Sequence, residues 1–284
     1  MKNIPFIKYQ GLGNDYIYIN TIDNEVNHPQ ELAKKISHRN FGVGADGLIL
    51  VQKSVKADYK MRIFNADGSE AEMCGNGIRG FAKYLYDYGF TKSKTLTIET
   101  LAGIKNIIIE TKRNKADQIT VDMGEPQLER SLIPMLGDEG KVINESIELE
   151  DAVRFDITAI SMGNPHAVIF VEDTENFPVT KYGPLVENHS LFPNRTNVEF
   201  IQIINDKEII QRTWERGSGE TLACGTGASA AVVAGNLIEK LSEKVTVHLK
   251  GGDLKIHWDK TSNHVFMKGP AVEVFKGKWP IRGK

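Results

Sequence analysis

Residues 61–80 read MRIFNADGSEAEMCGNGIRG, and residues 211–230 read QRTWERGSGETLACGTGASA. Aligned, every matched pair is 150 apart: Arg62 with Arg212, Glu70 with Glu220, Cys74 with Cys224, Gly75 with Gly225, Gly77 with Gly227. Phe64 meets Trp214 in the same register. These are the only two cysteines of the chain, and each stands in Cys-Gly-x-Gly, after a β-like run and before a helical pattern of small residues. Gly13-Asn14 also lies 150 before Gly163-Asn164, and each pair opens a β run. A self-match at separate places in one register marks an internal duplication. The reading is a doubled fold, in which each half supplies one thiol at a helix N-terminus to a site between them.

A chain of 284 residues is comfortable for two cores. Its 40% hydrophobic and 25% charged content is ordinary for a globular protein. The net charge of −2 argues against a broad basic field, so no nucleic-acid partner is expected. The opening MKNIPFIKYQGLGND has no signal-peptide core, and no apolar run approaches the ~20 residues of a membrane span. A cytoplasmic location without a membrane partner is the expectation. Two cysteines are too few for a disulfide framework and should be free thiols. The seven histidines show no His-x-x-x-His or Cys–His ligand spacing, so no metal is expected.

Alternating residues 4–21 predict a hairpin around 11–15. Residues 29–38 have helical spacing with a proline near the start. Gly42-Val-Gly-Ala-Asp-Gly47 matches G-x-G-x-x-G in form, but it leads into a strand at 48–51 and is read as a glycine-rich turn. A strand at 59–65, a helix at 77–88 and three β runs from 95 to 123 follow. Gly124-Glu-Pro126 breaks the pattern. The second half brings strands near 141–150 and 153–161, a run at 167–172, a short helix near 184–189 and hairpin strands at 198–204 and 208–215. A helix at 226–237 and further hairpins close it. Many short strands with one main helix per half predict an α+β fold of two pseudo-symmetric domains. Each is a curved, mostly antiparallel, barrel-like sheet wrapped around a central helix. The expected domains are 1–124 plus 270–284, carrying Cys74, and 125–269, carrying Cys224.

The thiolate is the reactive form of cysteine, and a helix N-terminus favours it over the free thiol. The glycines let backbone approach a ligand, so residues 75–77 and 225–227 can aim N–H groups at a carboxylate. Two such loops suit inversion of a carbon bearing an acidic proton. One sulfur removes the proton, the other delivers one to the opposite face, and N–H donors stabilise the carbanion beside the carboxylate. No pyridoxal phosphate site is evident.

FNADGSEAEMCGNGIRG, ERGSGETLACGTGASA, GLGNDY, GNPH and RTNVEF together resemble the diaminopimelate epimerase family over essentially the whole chain. The resemblance implies a cofactor-independent isomerase that interconverts LL- and meso-2,6-diaminopimelate, on the route to lysine and peptidoglycan, and a homodimer. It makes Cys74 and Cys224 the acid–base pair. It places Gly75-Asn76 and Gly225-Thr226 on the carboxylate at the reacting carbon. Asn14, Asn65, Asn164, Asn197, Glu215 and Arg216 would hold the rest of the substrate. An Arg clamp for carboxylate and acceptors for ammonium suit a second amino acid end. His166 resembles the family's histidine near the reacting centre; the alternative is a satisfied core histidine. Gly47 departs from members that carry a substrate-contacting Gln. Arg79, Glu70 and Glu220 read as structural.

Other readings remain open. A proline racemase or hydroxyproline epimerase would share the cysteine loops but not Asn197 with Glu215-Arg216. A third reading is a thiol-redox or amino-acid-binding protein without turnover; a redox role would usually show Cys-x-x-Cys or an adjacent resolving Cys, and neither is present. Facing thiols should also join on oxidation, so activity is expected to need reductant.

Overall fold

The structure is a computed structural model that describes residues 2–22, 25–149 and 152–281. Residue 150, at the end of a strand anticipated for the second half, and residues 282–284 of the expected N-terminal domain lie outside these. The chain divides into two compact units, Met1–Val121 with Gly269–Lys284, and Asp122–Lys268.

In the first unit, β1 (Lys2–Gly11) and β2 (Asn14–Asn20) form the anticipated hairpin. Its turn, Leu12-Gly13, is left-handed, with φ of 57° and 88°. Helix α1 (Pro29–Ser37) starts on a proline, where the missing N–H has no helical partner to lose. It returns the chain to β3 (Gly47–Gln52), parallel to β2. β4 (Tyr59–Asn65) runs antiparallel to β3, and the short β5 (Glu70–Ala71) folds back on β4. Helix α2 (Gly75–Asp87) follows. β6 (Thr95–Thr100) lies parallel to β4 and opens a meander with β7 (Gly103–Lys112) and β8 (Lys115–Gly124).

The second unit repeats the plan. β9 (Glu145–Glu148), β10 (Arg154–Ser161) and β11 (Pro165–Phe170) are antiparallel neighbours. Helix α3 (Val179–Glu187) leads to β12 (Asn197–Asn205), parallel to β11. β13 (Glu208–Glu215), β14 (Gly219–Thr221), α4 (Gly225–Leu237), β15 (Lys244–Leu249), β16 (Gly252–Asp259) and β17 (His264–Gly269) complete it. β13 pairs antiparallel with β12 and parallel with β15. Finally β18 (Val272–Ile281) returns to the first unit, antiparallel to β1. The fold is α+β and mostly antiparallel; among the described residues β2–β3, β4–β6, β11–β12 and β13–β15 pair in parallel, each across an intervening helix.

Each sheet is curved because its strands reach one helix from distant places. α2 touches β1, β2 and β3 and also β7; α4 touches β10, β11 and β12 and also β16. Strand β2 is buried on both faces, and period-two alternation divides the work. Ile17 and Ile19 join Ala33 and Ile36 of α1 in one apolar cluster. Tyr18 points the other way, and its hydroxyl donates to Gly77 O at 2.7 Å. α4 is apolar on most sides, as a wrapped helix must be, with Gly225 and residues 227–235 buried.

The anticipated helix near 184–189 instead begins at Val179. Pro184 invites reading as a helix start, yet it lies inside α3, and its carbonyl accepts from Asn188 N (3.2 Å) and Nδ2 (2.8 Å). The repeat points to the better boundary: α1 starts at 29 and α3 at 179, and 179 − 29 = 150.

Candidate active site

Both cysteines cap their helices in one geometry. Cys74 precedes α2 at φ −140°, ψ 117°, and its Sγ accepts from Gly77 N at 3.4 Å. Cys224 precedes α4 at φ −122°, ψ 113°, and its Sγ accepts from Gly227 N at 3.4 Å. Gly75-Asn76 and Gly225-Thr226 therefore open the first helical turn, where the helix itself supplies no acceptor for the N–H groups. An extended N-cap followed by glycines is what Cys-Gly-x-Gly favours.

The loops are braced alike. Arg62 Nε and Nη2 donate to Glu70 at 2.7 and 2.9 Å, and Arg212 Nε and Nη2 donate to Glu220 at 2.7 and 3.1 Å. Such forked pairs hold β4 to β5 and β13 to β14 just before each thiol. Arg79 is fully buried, and its Nε donates to Pro270 O at 3.0 Å. Burial lowers its pKa to about 10.

Around Cys74, Asn14 is tightly placed. Its Nδ2 donates to Asp46 Oδ2 at 2.7 Å, which turns Oδ1 toward Sγ, 3.4 Å away. Asp46 is held by Arg39 (2.8 Å), which also reaches Asp15 (3.1 Å), and Asp15 pairs with Lys8 at 2.6 Å. Tyr16 packs against Cys74; burial, then the sulfur, pushes its hydroxyl pKa well up. Gly47 is paired with Tyr16 across the parallel strands. A Cβ there would lie 2.3 Å from Phe64 O and 2.9 Å from the Tyr16 ring. A side chain at Gly47 would therefore require the strand or the ring to shift. Asn65 ends β4, with Nδ2 donating to Ser69 Oγ at 3.0 Å.

Around Cys224, the surroundings are acidic. Burial, then Glu215 and Glu199, pushes its thiol pKa well above the ordinary range, against the donors from Thr226 and Gly227. The thiolate stabilisation expected of a helix N-terminus is overridden at this cysteine. Burial likewise raises Glu215, which accepts from Thr221 Oγ1 at 2.6 Å and lies beside the Cys224 thiol. Arg216 extends from the end of β13, with Nη1 donating to Asn194 O at 3.0 Å. Asn197 is buried with its amide in use: Nδ2 donates to Pro165 O (2.8 Å), and Oδ1 accepts from Arg216 N (2.9 Å). It fixes the backbone that carries Arg216. His166 is fully buried, with Nδ1 2.7 Å from Glu199 Oε1 and Nε2 3.0 Å from Asn164 Oδ1.

The structure thus places Asn14, Gly75 and Asn76 at the first thiol, and Glu215, Gly225 and Thr226 at the second; Asn164 and His166 are joined to Glu199 in one hydrogen-bonded chain, Asn197 is joined to the Arg216 backbone, and Asn65 is held by Ser69. Two neighbours of the thiols lie inside the motifs GLGNDY and RTNVEF but do not stand out there as site residues. Tyr16 lies 150 before His166, so the repeat could have flagged it. Glu199 is a lone charge in the apolar run Val198-Glu-Phe-Ile201, near the end of the RTNVEF motif.

The sequence profile described as diaminopimelate epimerase matches residues 6–129 and 158–274. The chain is 53% identical to the diaminopimelate epimerase of Moorella thermoacetica, over 97% of this chain and 99% of that protein. It is 50% identical to that of Methanococcus maripaludis, over 98% and 100%. Among solved structures, a Bacillus anthracis phenazine biosynthesis protein of the PhzF family superposes with a TM-score of 0.72 at 22% identity, covering 99% of this chain and 100% of that one. A hydroxyproline epimerase from Agrobacterium vitis superposes with 0.71 at 12% identity, covering 98% and 91%. These two share the fold, and the closer sequence relatives define the family: the chain belongs to the diaminopimelate epimerases.

Proposed function

We propose that the protein interconverts LL- and meso-2,6-diaminopimelate by proton transfer at the α-carbon, with Cys74 and Cys224 as the acid–base pair and no cofactor. The observation that supports this most is the matched capping of α2 and α4 by the chain's two cysteines. One sulfur, as thiolate, takes the α-proton; the other, as thiol, returns one to the opposite face. The roles exchange in the reverse direction. Burial and two carboxylates favour the neutral form of Cys224, the form that can donate a proton. In the first helical turns, Gly75-Asn76 and Gly225-Thr226 aim backbone N–H groups at the carboxylate, where charge develops as the carbanion forms. Well-placed donors of this kind contribute roughly 3–4 kcal/mol each. Arg216 takes the second carboxylate, and Glu215 with the asparagines takes the ammonium groups and remaining contacts. The protein would act as a homodimer in the cytoplasm.

The reduced protein with LL-diaminopimelate in D₂O should yield inverted product carrying deuterium at the α-carbon. Cys74→Ala and Cys224→Ala should each abolish inversion. Exchange with proline or hydroxyproline instead would keep the chemistry and move the substrate. Inversion surviving either substitution would overturn the two-thiol assignment.

A further inference from the structure

The turn that carries Arg216 has an anchor of its own. It joins β13 to β14, and Ser218 N donates to Glu215 O across it at 2.9 Å. Gly217, at φ 76°, lets the chain fold back there. Against this turn lies Glu187, the last residue of α3, with its side chain only 6% exposed. Oε1 accepts from Gly217 N at 2.9 Å and from Arg195 Nη1 at 3.1 Å, and Oε2 accepts from Trp214 Nε1 at 2.7 Å. Each donor is a backbone, guanidinium or indole N–H, so the direction of every bond is fixed. Next to Arg195 in the chain, Asn194 O accepts from Arg216 Nη1. One carboxylate thus ties together the two segments, 194–195 and 214–217, that hold Arg216.

Helix α3 is shaped to seat Trp214. A Cβ built on Gly183 would lie 2.5 Å from Trp214 Cγ, so the indole occupies the space of a side chain at 183. Gly183 and Glu187 are one helical turn apart and share a face. The glycine leaves room for the ring, and the glutamate takes its N–H.

The internal duplication shows that the fold does not need this anchor. At a distance of 150, Gly183, Glu187, Trp214, Arg216 and Gly217 correspond to Ala33, Ser37, Phe64, Ala66 and Asp67. In the first unit Ala33 and Phe64 simply join an apolar cluster. Burying a carboxylate is costly where an apolar contact would serve. The buried carboxylate is found in the half whose turn carries a cation, and the matched turn has alanine in that place. We propose that Glu187 is a positioning residue: by fixing the turn at 214–217 it sets where Arg216 meets the second carboxylate of diaminopimelate. This rests on the reading of Arg216 as the contact for that carboxylate.

Two variants test it independently. Glu187→Gln keeps the size of the side chain and one acceptor oxygen. Trp214→Phe installs the residue of the matched position and removes only the indole N–H. In each, KM for diaminopimelate should rise about 10-fold, the cost of a weakened hydrogen bond to a charged group. The kcat should stay within about 3-fold, because a contact remote from the reacting carbon is made alike in ground and transition states. Arg216→Ala should raise KM by about 100-fold, and adding Glu187→Gln to it should cost little more, since the two act in one chain. Hydrogen exchange at the Arg216 and Gly217 amides, read by NMR in the whole protein, should speed up about 10-fold in Glu187→Gln while α4 stays protected. An unchanged KM in both single variants, fully additive losses in the double variant, or unaltered exchange at the turn would overturn the proposal. An unchanged KM in Arg216→Ala would instead overturn the reading of Arg216, and with it the substrate half of the proposal, while the exchange rates still decide whether Glu187 holds the turn.

Discussion

Cys224 shows how one residue type takes its chemistry from its surroundings. The helix N-terminus and Gly227 N–H favour a thiolate, but burial and the carboxylates Glu215 and Glu199 outweigh them. The sign is checkable. A thiol pKa raised by neighbouring anions falls when one anion is neutralised, so more thiolate forms at a given pH. Alkylation of Cys224 by iodoacetamide at pH 8, followed by mass spectrometry, should be slower than for a free cysteine, whose pKa is about 8.5. It should speed up several-fold in Glu215→Gln. Equal rates in the two proteins would mean that Glu215 does not set the thiol. Asn197 gives a second lesson at this scale. Its motif suggests a substrate contact, yet its amide spans Pro165 O and Arg216 N, so its first task is to hold the loop that carries Arg216.

At the scale of elements, the glycines beneath the thiols differ between the two helices. A Cβ at Gly77 meets the terminal methyl of Ile49 at 2.8 Å, which can rotate aside, and touches Cys74 Cβ and Sγ at ordinary contact distances of 3.4 and 3.6 Å. A Cβ at Gly227 meets the Glu199 carboxylate, held by three hydrogen bonds. Gly227→Ala should therefore destabilise by roughly 1–3 kcal/mol and Gly77→Ala by clearly less, although the two positions look identical in sequence. Urea unfolding of the pair measures this, and a larger loss at Gly77 would contradict the packing argument. Helix α3 belongs here too. Pro184 costs α3 one internal hydrogen bond, and the packing of Val179 and Val186 in the apolar cluster of the second unit sustains the helix around it.

For the whole molecule, stability against acid follows from its paired carboxylates. Burial opposes ionisation of Asp15, but Lys8 and Arg39 reverse it and hold its pKa below the ordinary 3.8. Glu220 is lowered from 4.5 in the same way, with Arg212 and Lys250 outweighing burial. A carboxylate lowered in the folded state contributes stability above its unfolded pKa and loses it as pH falls through the folded one. The urea midpoint should thus decline below about pH 4, and Asp15→Asn should flatten part of that decline. An unchanged profile would remove Asp15 from the acid transition. Among the described residues, no helix is long and apolar enough to cross a membrane.

The sequence by itself determined the duplication, the two thiols, the strands around them and the family resemblance. Each of these is written in local patterns: a 150-residue self-match, period-two strands and Cys-Gly-x-Gly. Only the tertiary structure decided what the differences between the two halves do. Glu199, Ile49, Tyr16 and His166 are distant in sequence from the cysteines they serve. What each does depends on parallel pairing that brings β2 to β3 and β11 to β12. That pairing sets Gly47 against Tyr16 and Asn197 against His166. The charge of a buried group follows from its neighbours in space, and those neighbours exist only once the sheet has curved around its helix.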